Sequence, residues 1–478
     1  MTITGESITE NSTVKTPVYI KDTTLAIDFK VNTIHNATNP NNQLGIGGVV
    51  LDNVSNVFFY DNVIGSNKEF GVYAVYSRNI WFIGNTFQYN HRSNIFLSQS
   101  SEIRIINNTF LSTALLDDDY DYYNAEIFIQ DSNQITIEGN TFAKGSTSKG
   151  IFTTLVGNVT VVGNNFANST QSVNDLGRIV FEDVLGDNLI ENNTITNNLG
   201  SGIVFYGSYD PKVSIVNNNT IANNQGSGIV INPGSYAANN IPLIIANNSI
   251  FNNLGHGVYA DKGLANSTIS SNLIEGNGGT GIFLEHYQTI FLMLNITLSG
   301  NTVRSNNLGV HFKYVEGVTL RNGVVDKNKQ YGIHLEASEN ITVSHIVADE
   351  NGMSGIYIKG DTYSDGANNT LEYIDANRNN ESGIYIRSDF NDLFAISAVA
   401  NKLYGLYLRF TTNTTVIDFS AGFNQDKNAY LYYSTNGTFN DWDVSDGSYV
   451  SFPPSIAIPV FLTVNVLFII LALVEDNE

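Results

Sequence analysis

Residues 202–205 read GIVF, residues 228–231 GIVI, residues 257–260 GVYA and residues 281–284 GIFL. The phrase Gly-apolar-x-apolar returns at Gly309 (GVHF), Gly332 (GIHL), Gly355 and Gly383 (both GIYI) and Gly405 (GLYL). Upstream it stands at Gly48, Gly71 and Gly150, and relatives lacking the glycine begin at Asn94, Glu126, Arg178 and Ala429. A second phrase, Asn-x-apolar, comes after each copy: NTF at Asn85, Asn108 and Asn140, NTI at Asn193 and Asn219, and others through NTV at Asn301. A third place, a few residues on, is again often Asn: Asn67, Asn90, Asn198, Asn224, Asn253, Asn277, Asn306 and Asn328.

Apolar residues two apart in runs of three to five predict short strands, and no useful 3.6-residue stripe predicts a helix. Gly and Asn between the runs suit the left-handed backbone of a sharp corner. Asn stacked on Asn is expected to pass amide hydrogen bonds from coil to coil. One such coil buries no apolar face alone; stacked coils do.

The three phrases together resemble the parallel β-helix repeat of the pectate-lyase-like superfamily, above all its NosD-like and carbohydrate-binding branches. The resemblance implies an all-β, right-handed parallel β-helix of about seventeen coils over residues 17–452. Residues 1–16 are expected to cover one end, and residues 453–478 to form a hydrophobic C-terminal anchor with a short acidic tail. Within that tail region Ile456 to Val474 lacks any charge, long enough for a transmembrane helix. No Lys or Arg flanks it to fix an orientation.

Composition narrows function. Asn accounts for 66 residues, charged residues for only 14%, and cysteine is absent. Disulfides and thiolate metal sites are excluded. The net charge of −22 argues against nucleic acid as a partner, since no basic stripe exists to release counterions. That charge favours cations, metal counterions or neutral sugars, and the expected partners are cell-surface glycans, other surface proteins or further copies of the chain. An extracellular, membrane-held position is expected. About sixteen Asn-x-Ser/Thr sequons occur, including Asn36, Asn107, Asn158, Asn192, Asn218, Asn247, Asn295, Asn340 and Asn413.

In the phrase Gly-a-b-c-d, alternation sends a and c inward and b and d outward. From Gly257 onward b reads Tyr259, Phe283, His311, His334, Tyr357, Tyr385 and Tyr407, and d reads Asp261, Glu285, Lys313, Glu336, Lys359, Arg387 and Arg409. Aromatic rings stack well across strands for structural reasons alone. The same column suits a sugar-binding face, with rings against pyranose C–H groups and charges on hydroxyls. His311 and His334, with Glu336 and Lys313 near, form the sharpest cluster suited to a transition metal or to acid–base chemistry. Asp117, Asp118, Asp119 and Asp121 form an acidic loop able to hold Ca²⁺ by oxygen ligands; no other cofactor is implied.

The resemblance also allows exclusions. Lyases of the superfamily pair a Ca²⁺-binding acidic group with a basic residue, and no tight set of that kind is evident. Epimerases of similar fold carry Asp-Pro-His, where this chain has Asp210-Pro211-Lys212. The expectation is therefore a surface structural or adhesive protein displaying a binding face. Carbohydrate binding or polysaccharide modification is the alternative, and a NosD-like metal-processing accessory role a second one.

Overall fold

The computed structural model describes the chain apart from residues 10–15, 38–46, 112–124, 144–148, 170–176, 186, 209–211, 233–240, 262, 287–292, 362–365, 445–449 and 452–478. The expected anchor and the acidic loop of Asp117, Asp118, Asp119 and Asp121 lie outside the described residues. Among the described residues every regular element is a strand, and no helix is long and apolar enough to cross a membrane. The chain divides into two compact units, Met1–Thr297 and Leu298–Glu478. Both are parallel β-solenoid, in all about sixteen turns against the seventeen expected.

In the first unit the a position of the Gly phrase makes an unbroken interior column. Val49, Val72, Ile95, Ile127, Ile151, Ile179, Ile203, Ile229, Val258 and Ile282 pair in parallel register, each one coil above the last. The Asn phrase supplies a second column: Ile64, Phe87, Phe110, Phe142, Phe166, Ile195, Ile221, Ile250 and Ile274. All of these are fully buried. Where the column is Phe the rings stack, at 5.2 Å for Phe87–Phe110, 4.7 Å for Phe110–Phe142 and 4.2 Å for Phe142–Phe166. Thr2–Thr4 and Ser7–Thr9, in the segment expected to cover one end, pair in parallel with Ile27–Lys30 and Thr33–His35.

The Asn phrase divides its two duties between neighbouring residues. The ladder asparagines are buried, and in the first unit each amide Nδ2 donates to the Oδ1 of the next, from Asn32 through Asn62, Asn85, Asn108, Asn140, Asn164, Asn193, Asn219 and Asn248 to Asn272. The expected amide ladder is therefore present. The left-handed corner, however, belongs to the residue before: Asn107, Asn192, Asn218 and Asn247 have φ of 53°, 56°, 54° and 55°. All the sequon asparagines named above stand at left-handed positions of this kind, and all are exposed.

In the second unit the first ladder lapses. Its place is taken by strands that run on through the corner, with Gly323, Ile346, Ile374, Ile396 and Phe419 in register. The third-place asparagines persist instead, donating in turn from Asn306 through Asn328, Asn351, Asn379 and Asn401 to Asn424. The phrase glycine is needed for close approach. A Cβ on Gly355 would lie 2.7 Å from the Ala348 carbonyl oxygen and 2.8 Å from that of Gly383.

Two features of the first unit depart from the alternation rule. The outward b positions Phe96, Phe128, Phe152, Val180 and Val204 are themselves buried, in a second apolar cluster with Phe70 and Ala125. And where glycine gives way to a larger residue, that side chain goes inside: Asn94, Glu126 and Arg178 are fully buried. Asn94 donates to the Glu126 carboxylate. Burial lowers the Arg178 guanidinium to about 10, against the pull of Glu126.

Candidate functional site

In the second unit the same phrase builds an open face. Val310, Ile333, Ile356, Ile384, Leu406 and Ala429 hold the interior at a, and the b side chains stack outside them in register. Ring centroids lie 4.5 Å apart for His311–His334, 5.0 Å for His334–Tyr357, 4.9 Å for Tyr357–Tyr385, 4.6 Å for Tyr385–Tyr407 and 5.3 Å for Tyr407–Tyr430. The interplanar angles are 6°, 16°, 34°, 15° and 18°. The rings thus cover one another's faces. What they offer a ligand is edges and hydroxyls, not the flat faces that sugar stacking was expected to use.

Sequence reading missed a second set of rings. Tyr331 and Tyr404 each precede the phrase glycine and pack on the b ring three residues later, at 5.2 Å from His334 and 4.9 Å from Tyr407. His256 does the same to Tyr259 at 5.2 Å and Phe70 to Tyr73 at 5.3 Å. The signal was legible as an aromatic immediately before Gly. Burial raises Tyr357 to about 12 and also raises Tyr404, which bonds Asp426. The hydroxyls are therefore protonated donors at neutral pH.

The d column runs beside the rings. Lys313, Glu336, Lys359 and Arg387 pair in register, and Arg409 holds the same place in the next phrase. Lys359 Nζ lies 2.9 Å from Glu336 Oε1. Arg387 is exposed, with no hydrogen-bond or ion-pair partner among the described residues. Arg409 Nη1 donates to the Tyr385 hydroxyl at 3.4 Å, and its guanidinium stands 5.2 Å from the Phe410 ring centre. Lys313 lies 5.7 Å from the Tyr314 ring centre, and the Tyr314 hydroxyl donates to Asp361 at 2.6 Å.

His311, His334 and Glu336 come together as expected, with their ligand atoms within 4.8 Å of one another. His311 Nε2 and Glu336 Oε2 are 3.1 Å apart. His334 is only 7% exposed, and its Nε2 has no hydrogen-bond partner among the described residues. Burial and the neighbouring His311 push its pKa down to about 3, so the ring is neutral. Glu336 is held well below the usual carboxylate range by its bonds to His311 and Lys359. A transition metal forms bonds of about 2.0–2.1 Å to imidazole nitrogen. The donors fit it in kind, and His311 and Glu336 already stand at a chelating separation. Joining His334 requires its ring to tilt out of the parallel stack.

The remaining predicted residues lie in the first unit. Tyr259 and Phe283 are half-buried with centroids 5.4 Å apart, and Tyr259 donates to Glu285 at 3.5 Å. Glu285 was expected to face solvent but is buried at 6% exposure.

Residues 16–177 and 120–242 match the family model described as "Right handed beta helix region". Residues 293–452 match "Periplasmic copper-binding protein (NosD)". No curated protein matches. Among solved structures, the periplasmic alginate epimerase AlgG is 13% identical with a TM-score of 0.42, covering 72% of this chain and 76% of its own. The A-module of Azotobacter vinelandii mannuronan C-5 epimerase AlgE4 is 14% identical with a TM-score of 0.35, covering 90% and 91%. PfbA, a surface adhesin of Streptococcus pneumoniae, is 14% identical with a TM-score of 0.33, covering 81% and 84%. With the parallel register of its strands, the chain is a right-handed parallel β-helix repeat protein.

Proposed function

We propose that this chain is an exported, surface-held binding protein that takes an extended anionic glycan along the b and d columns of its second unit. One observation carries the reading. In a protein of net charge −22, Lys359, Arg387 and Arg409 occupy one d column in successive phrases, and Glu336 is the only carboxylate in line with them among the described residues of that unit. Stacking like charges at about the coil spacing of 4.8 Å is unfavourable without a partner. An extended polymer bearing one carboxylate or sulfate per sugar relieves that repulsion along its length. The tyrosine hydroxyls beside it supply donors to sugar oxygens. Retention on an immobilised uronan at low salt, release by salt, and no retention on a neutral β-glucan is the expected pattern. Equal retention on both polymers sinks the anionic reading.

A second reading is metal binding at His311, His334 and Glu336. The buried Nε2 of His334, without a partner among the described residues, favours it, since an unsatisfied buried nitrogen costs about 1–3 kcal/mol. The match of that same stretch to a copper-binding description favours it too. Cu²⁺ titration followed by calorimetry is expected to show one site per chain, lost in His334→Phe. An unaltered isotherm in that variant rejects the site.

A further inference from the structure

The left-handed corners of the second unit change chemistry along the chain. One column of them reads Lys327, Glu350, Arg378, Ala400 and Phe423, and the backbone N–H groups of the first four reach the coil beyond. Charge gives way to a methyl group and then to an aromatic ring. A second corner, just after the Gly-phrase strand, reads Tyr314 and Ala337 in early coils and Phe410 and Tyr433 in the last. Phe390 breaks a column otherwise held by Asn340, Asn368, Asn413 and Asn436.

These aromatics are placed at a double cost. A left-handed backbone disfavours any residue with a Cβ, and bulky residues lack the local hydrogen bond by which Asn offsets it. They are also exposed: Phe423 by 72%, Phe390 by 49%, Phe410 by 48% and Tyr433 by 46%. Phe410 and Tyr433 stack on each other with centroids 5.6 Å apart. Phe390 and Phe423 have no ring partner among the described residues, so mutual stacking does not account for them. Phe423 precedes the strand Lys427–Tyr432 and Tyr433 comes directly after it, so the aromatic corners flank the Gly-phrase sheet on both sides. The corner that runs His345, Tyr373, Ala395, Asp418 and Asp441 turns acidic instead, and lies in the other sheet.

We infer that the last coils, through Phe410, Phe423, Tyr432 and Tyr433, rest on the headgroup layer of a lipid bilayer with the Asp418–Asp441 side turned away. Aromatic rings gather at that depth because one end of each is apolar and the other tolerates water. The sequence beyond Tyr433 sets the occupant: the uncharged stretch 456–474 begins within twenty-five residues of it. The inference rests on the reading that this stretch enters a bilayer and that the glycan column lies on its N-terminal side. An aromatic belt there holds the anionic-glycan column at a fixed height over the lipid.

The chain has no cysteine, so single labels are clean. Phe423→Cys and Lys327→Cys, the latter an exposed left-handed corner earlier in the same column, each carry a nitroxide in the full chain with phosphatidylcholine vesicles. Flotation reports insertion of the tail, and relaxation by oxygen against an aqueous nickel complex reports depth. The expected result is flotation of both, with a severalfold higher oxygen-to-nickel ratio at position 423 than at 327. Equal ratios in chains that float overturn the belt while leaving the tail inserted. Chains that fail to float overturn both, and uronan retention, read separately, stays as it was.

Discussion

His334 shows how much of a side chain's chemistry is set by its neighbours. Its phrase position says "outward", yet Tyr331, Tyr357 and His311 enclose it. Its folded pKa of about 3 lies below the ordinary value of 6.5, so the folded chain binds fewer protons than the unfolded chain between those limits. Stability therefore falls as pH drops through that window, by up to about 1.4 kcal/mol per pH unit for one proton. Glu336, also lowered, adds a loss of the same sign once the pH falls below its ordinary value of 4.5. In His334→Phe the stack is kept and the decline between pH 6.5 and 4.5 should flatten, as thermal unfolding across pH 4–8 would read. An unchanged slope would remove His334 from the account. Glu126 and Arg178 make the matching case in the first unit. Sequence reading recorded them as phrases without glycine and gave no sign that both charges go inside. Glu126→Gln leaves a buried guanidinium without its counter-charge and is expected to cost about 3–5 kcal/mol in urea unfolding. A loss under about 1 kcal/mol would mean that Arg178 finds compensation elsewhere.

The strands and corners were the most legible level. Period-2 runs bounded by Gly and Asn identify coils because a slip of one residue turns a strand inside out. What stayed hidden was which Asn of an Asn-Asn pair turns the chain and which one is buried, since one residue type suits both tasks. Asn218 and Asn219 separate them. Asn219 accepts from the backbone and side chain of Asn193 and donates to Asn248, all inside the coil stack. Its replacement by Ala strands those groups, at about 2–3 kcal/mol. Asn218→Gly keeps the left-handed corner at φ 54° and is expected to be nearly neutral. Hydrogen exchange of the flanking coils resolves the two, because a stacked solenoid opens locally. Equal deprotection by both variants would refute the division of labour. The exposed corners that double as sequons arise from the same geometry, so a sequon here marks an accessible position whether or not a glycan is attached.

At the scale of the whole molecule, composition foretold an acidic, cysteine-free chain, and the repeated phrases foretold the solenoid and the place where its aromatic and charged columns become regular. Neither foretold that the rings close their faces on each other, nor that the b column is buried from Phe96 to Val204 yet half-exposed at Tyr357, Tyr385 and Tyr407. Both depend on packing between residues far apart in sequence, which the phrase pattern does not encode. Against a net charge of −22, the Lys359–Arg387–Arg409 column gathers three cations whose one ion-paired carboxylate among the described residues is Glu336, on Lys359. Arg387 is its centre and has no partner among the described residues. The most direct measurement is the affinity of the full chain for a uronan oligomer at two salt concentrations, with and without Arg387→Glu. The variant is expected to bind at least about tenfold more weakly, near 1.4 kcal/mol, and to show a shallower salt dependence while melting as the parent does. A variant that binds as tightly as the parent, with the same dependence on salt, would show that this column does not hold the glycan.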